Sequence, residues 1–144
     1  MIPNDQLNDL LIDLGRSLLQ YVGEIWPWTS REDADVHKAV EKLVAEQRAS
    51  VERLAELLDR RGHRIESGAY PTEYTSLHYV ALDFLLDQLA AHQERLADEA
   101  AGLAAAADDD EEAGSLLSDI SQEAARHRDE LARLSSTRKA QQSA

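Results

Sequence analysis

Cysteine is absent from this sequence of 144 residues, which excludes disulfides, thiolate metal sites and cysteine nucleophiles at once. A long apolar run is also missing, since nothing approaches the roughly 20 consecutive apolar residues that span a bilayer. The opening MIPNDQLNDLL carries acids and spaced leucines where a signal peptide carries a basic patch and an apolar block, so a soluble, cytoplasmic protein with no membrane partner is expected. The glycine-rich phosphate loop, the Gly-x-Ser-x-Gly elbow and the His-Glu-x-x-His metalloprotease helix do not occur, so catalysis has little positive support and the reading leans away from an enzyme. Positive charge is in short supply. Fifteen bases stand against 28 acids for a net charge of -13, and such a surface repels a nucleic-acid backbone. The same charge keeps a helical surface solvated, or gathers cations.

What the sequence does contain is helical periodicity, with no segment of alternating β-branched residues. Leu7, Leu11, Leu14, Leu18, Tyr21 and Ile25 recur at spacings of three and four and predict a first helix ending at Pro27. Thr29 or Ser30 can cap a second helix that carries Val40, Leu43 or Val44, Gln47, Val51, Leu54 and Leu58 inward and stops at Gly62. A third series, from His78 through Leu82, Leu85, Leu89, His92 and Leu96 to Leu103, predicts a helix starting near Thr75. The acidic run DDDEE lacks the ligand spacing of a calcium loop and supplies instead the cap and first-turn acids of a fourth helix, whose row is Leu117, Ile120, Ala124, His127, Leu131 and Leu134. Residues 136–144 are expected to fray as a flexible tail behind a single domain over residues 1–135.

The fold class expected is therefore all-α, a four-helix bundle. The 12 residues between Gly62 and Thr75 can stretch to about 40 Å, comparable with the length of a helix of about 25 residues, so a long crossover between helices two and three is allowed. The other connections are short, which makes two antiparallel hairpins. Leu10, Leu19, Leu57 and Leu86 lie off the main rows, where they either widen the core or form a second apolar face for self-association.

Polar residues in the inward rows raise the question of function. Gln47, His92 and His127 stand in them, with Tyr21 in reach, and without partners each would cost roughly 1 to 3 kcal/mol to bury. One reading is a hydrogen-bonded polar layer that fixes helix register. The other is a metal site using Glu46, His92 and His127, because imidazole and carboxylate suit iron, manganese or zinc. Glu123, one turn before His127, fits either a shared ligand or a helix-surface ion pair. Trp26 and Trp28 either plug the end of the bundle or present aromatic anchors to a partner.

With its two hairpins and crossover, the chain resembles the ferritin-like superfamily, which includes bacterioferritins and rubrerythrins, over about residues 5 to 135. That resemblance implies a di-iron centre in which helices two and four each carry Glu-x-x-His and helices one and three each add a glutamate. In LVAEQRASVERLAEL, Glu46 takes the glutamate position and Ala49 the histidine position; in SLLSDISQEAARHRDEL, His127 takes the histidine position and Ala124 that of the glutamate. Helix one offers Leu14 or Gly15, with Glu24 further along, and helix three offers Glu94. A hemerythrin-like bundle is the rival, but only His37-x-x-x-Glu41 has suitable spacing for it. The resemblance thus implies a ferritin-like bundle lacking a complete di-iron centre: a non-catalytic structural or partner-binding protein, without a cofactor, that associates with itself or another protein. The alternative is a metal-binding oxidase or iron-storage-type protein with a rebuilt site.

Overall fold

The computed structural model describes residues 1–25 and 33–143. Trp26 and Trp28, with the expected turn at Pro27 and the capping residues Thr29 and Ser30, lie outside the described residues. The described residues form five α-helices, α1 (Asn4–Gly15), α2 (Leu18–Ile25), α3 (Ala34–Arg60), α4 (Leu82–Ala105) and α5 (Glu111–Ser143). No strand occurs among the described residues.

The single first helix expected from the leucine row is divided into α1 and α2. Arg16 ends the first segment, and the Ser17 hydroxyl accepts the backbone N–H of Gln20 at 3.3 Å, which is the hydrogen bond of a helix N-cap. α3 ends as its sequence requires. Gly62, at φ +72°, occupies the left-handed position, while Gly62 N–H reaches Asp59 O at 2.9 Å and His63 N–H reaches Leu58 O at 3.0 Å, the paired bonds of a Schellman motif. α4 begins at Leu82 rather than near Thr75, because Thr72–Tyr79 winds into a 3-10 helix and Val80 and Ala81 are extended. Thr75 and Ser76 turn their hydroxyls back onto the carbonyls of Thr72 and Glu73, both at 2.8 Å, and so stabilise this tighter winding. Asp110 caps α5 through the Ala113 N–H at 3.3 Å. That helix runs on through the segment expected to be a tail: Lys139 bonds Asp87 at 2.7 Å, and Arg138 lies 3.4 Å from both Asp33 and Asp83.

Residue pairs fix the directions. Asp119, Glu123 and His127 of α5 meet Arg53, Ser50 and Glu46 of α3, so the two run antiparallel. Ser121 and Ser135 of α5 meet Ala97 and Asp87 of α4, also antiparallel. α3 and α4 are therefore parallel, and residues 63–81 form the long crossover between them. This segment is bracketed against α1 by Asn8, whose side-chain amide donates to Glu66 O at 2.9 Å while its carbonyl accepts the Glu66 N–H at 3.0 Å.

Among the described residues the core forms two apolar clusters. One gathers Leu7, Leu14, Leu54, Leu58, Leu96 and Ile120, and the other Leu18, Val40, Leu85, Leu89, Tyr74 and Leu131. Burying each leucine contributes roughly 1.5 to 3 kcal/mol, so these clusters carry most of the stability. Leu10, Leu19, Leu57 and Leu86 are at most 1% exposed and belong to this core. They form no second apolar face, which removes the basis on which they suggested self-association.

Candidate functional site

Along every main helix the two apolar clusters give way to each other at a polar residue: Ser17 before α2, Gln47 and Ser50 on α3, Gln93 on α4 and His127 on α5, all buried. Gln47 is the hub. Its carbonyl oxygen accepts from the Ser17 hydroxyl at 2.9 Å and from the Gln20 amide at 3.0 Å, and its own amide approaches Gln93 Oε1 at 3.5 Å. Gln20 also donates to Val44 O at 2.9 Å. A net gain of about 1 kcal/mol per such bond is small beside the leucine core, but leaving an amide unmade would cost more, so the layer sets register more than it adds stability.

His127 is 1% exposed, and its Nε2 lies 3.2 Å from Glu46 Oε1. Burial lowers the imidazole pKa, against the opposing influence of Glu123 and Glu46, so the ring is neutral at neutral pH. With the proton on Nε2 donated to the Glu46 carboxylate, Nδ1 is left as a buried acceptor without a partner. Gln93 Nε2 is a buried donor without a partner. The contacts of Ser121 with Ala97 and of Ser135 with Asp87 bracket these two residues, so Gln93 and His127 stand at the same level of the α4/α5 pair. Glu123 bonds the Ser50 hydroxyl at 2.8 Å.

The residues singled out in the sequence separate into two groups. Glu46 and His127 meet on the flank of the bundle, where the Glu46 side chain is 33% exposed, while Gln47 belongs with Ser17, Gln20 and Gln93 in the buried layer. His92 does not join them. It is half-buried in a different cleft, edge-on to the Tyr74 ring with centroids 5.8 Å apart, and burial lowers its pKa. Gln93 takes the fully buried place in α4 that the leucine row suggested for His92. Tyr21 stacks with Tyr70 and Tyr74, at centroid distances of 5.3 and 5.5 Å. Sequence reasoning missed Ser17, Gln20 and Gln93. A signal was available: Ser17-x-x-Gln20 is a capping-box spacing, and Gln93 follows Leu89 by four residues.

Among the described residues, no group of three or more His, Asp and Glu side chains is placed to hold a metal ion. Glu46 and His127 together offer two donors. No helix of the described residues is long and apolar enough to cross a membrane.

A bundle of two antiparallel helical hairpins, linked by a long crossover and carrying polar side chains at its centre, is the architecture of ferritin-like proteins. The model of the Ferritin-like domain family matches residues 4–140, and the chain belongs to that family. No curated protein and no solved structure matches it.

Proposed function

We propose that this protein is a ferritin-like bundle without a dinuclear metal centre, serving a non-catalytic structural or partner-binding role. The observation that carries this reading is the Gln47 hub. A carboxylate-bridged metal pair needs several anionic oxygens at the middle of the bundle, and here the interior positions belong to the neutral amides of Gln20, Gln47 and Gln93 and to the Ser17 hydroxyl. Apart from the Gln93 Nε2 donor, which has no partner, these groups bond to one another, and being neutral they leave no buried charge for a cation to balance. The donor set does not suit the family's metal pair. Glu46 and His127 supply one carboxylate and one imidazole, and His92 belongs to another cleft, so a rebuilt centre from these three residues lacks its third member. The partner, a second copy of the chain or another protein, would meet a surface dominated by acids.

Elemental analysis of untagged protein tests this reading. Iron, manganese and zinc well below one atom per chain, together with an unchanged melting temperature in chelator, is the expected result. Stoichiometric metal that disappears in His127→Ala while the helical content persists would establish the oxidase or storage-type alternative instead.

A further inference from the structure

Away from the bundle centre, a cleft of about 220 Å3 opens between α1, α4 and the crossover. Its walls are apolar, from Ile12, Leu96 and the Tyr74 ring, and its charged groups are arranged unusually. Arg95 and Glu99 lie one helical turn apart on α4, a spacing at which opposite charges ordinarily pair. Here Glu99 instead hydrogen-bonds Asp13 of α1, carboxyl to carboxyl, and Arg95 makes no ion pair among the described residues. The other guanidinium of the cleft, Arg16, is engaged with Ser67 O at 3.3 Å and lies over the Tyr70 ring at 5.0 Å. The cleft therefore holds a carboxyl pair and a guanidinium that is not ion-paired with it, together with the apolar side chains of Ile12, Leu96 and Tyr74.

We propose that this cleft binds a small zwitterion of the size of a single amino acid, its ammonium on Asp13 and Glu99, its carboxylate on Arg95 and its apolar body against Ile12, Leu96 and Tyr74. The volume is below the roughly 300 to 1,000 Å3 of pockets for drug-sized ligands, which limits the ligand to a few polar groups on one short body. A bare amine would meet the uncompensated charge of Arg95, and a bare acid would meet the two carboxyls. The pair also holds a proton that a ligand can displace. Burial, followed by the bond to Asp13 and the charges of Asp13 and Asp9, pushes the Glu99 carboxyl up to about 8, so at neutral pH it is mostly protonated. An arriving ammonium takes the place of that proton, which passes to the buffer. Burial holds His92 neutral near neutral pH and pushes the Tyr74 phenol up, so neither of these takes part in the exchange. The site is separate from the Gln47 layer, and its test does not depend on the metal content of the bundle.

Titration calorimetry of the full chain at neutral pH, with L-phenylalanine, 2-phenylethylamine and 3-phenylpropionate as probes, decides the matter. The zwitterion should bind roughly tenfold or more tighter than either singly charged analogue, and buffers of different ionisation enthalpy should report release of about one proton per ligand. Glu99→Gln should abolish the proton release and weaken phenylalanine roughly tenfold. Arg95→Met removes an exposed side chain and leaves the fold intact; it should weaken phenylalanine while leaving 2-phenylethylamine unweakened. Analogues that bind as tightly as phenylalanine, binding that survives both substitutions, or no heat from any probe at about 10 mM would overturn the proposal.

Discussion

His127 holds one partner and wants another. Its Nε2 proton goes to Glu46, and its Nδ1 lone pair is enclosed without a donor. His127→Ala removes the bond and leaves a cavity between the apolar clusters, and a loss of about 2 kcal/mol is expected, read by urea denaturation. Asp110 is more fully satisfied. It accepts both Arg61 guanidinium nitrogens at 2.9 and 2.7 Å, the Ile2 N–H at 3.2 Å and the capping bond from Ala113. The Arg61 bonds, above all, hold its carboxyl at about 2, against an ordinary 3.8. Because the folded pKa is depressed, the stabilisation is complete above about pH 4 and is lost as pH falls through 2; it amounts to about 2 kcal/mol. Denaturation midpoints between pH 5 and 2 should fall more steeply in the native chain than in Asp110→Asn. Glu99 has the opposite sign. Its carboxyl is raised from 4.5 to about 8, so its contribution is full below 4.5 and declines as pH rises through about 8. Glu99→Gln should flatten stability across that range.

At the scale of elements, α2 approaches α3 at Gly23, where an added Cβ would stand 2.9 Å from both Val44 methyl carbons. Alanine gains about 1 kcal/mol of helix propensity over glycine, whereas overpacking against a β-branched side chain costs about 1 to 3. The clash wins. Gly23→Ala should destabilise the native chain and stabilise a Val44→Ala background, a reversal that thermal melts of the four-member cycle would reveal. The leucine rows, Gly62 and the Asp110 cap made most of this architecture legible in the sequence, because burial and capping are local periodic signals. The division at Ser17 was less visible, since the apolar row continues in phase across it and one hydroxyl makes the break. The spacing of four from His78 to Leu82 predicts α-helix through a segment that winds instead into a 3-10 turn. Of the central site, Gln47 and His127 could be read from their rows. Gln93 was not, because adjacent positions on a helix differ by about 100° and only packing decides which one faces inward. The Asp13–Glu99 contact joins helices far apart in sequence, and no spacing rule anticipates it.

For the molecule as a whole, a charge of -13 opposes compaction, and the exposed ion pairs across helices return little of that cost. Arg53–Asp119 and Lys139–Asp87 are about half exposed and are worth at most about 1 kcal/mol each. Salt weakens those pairs but screens the larger self-repulsion, so the melting temperature should rise between low salt and about 0.5 M sodium chloride, measured by circular dichroism. A falling melting temperature would mean that the ion pairs dominate.

The two-bond bracket between Asn8 and Glu66 imitates the exchange made by one rung of a β-ladder, with a side chain standing in for a strand. It ties the middle of the longest non-helical stretch to a helix whose leucines are buried on the far side. A protease that needs an extended substrate around Arg64 can gain one only by pulling that bracket open. Cleavage there becomes a reporter of how often α1 leaves the bundle, and trypsin sensitivity in native buffer should track global unfolding until Asn8 is replaced by leucine, which would let the crossover open on its own.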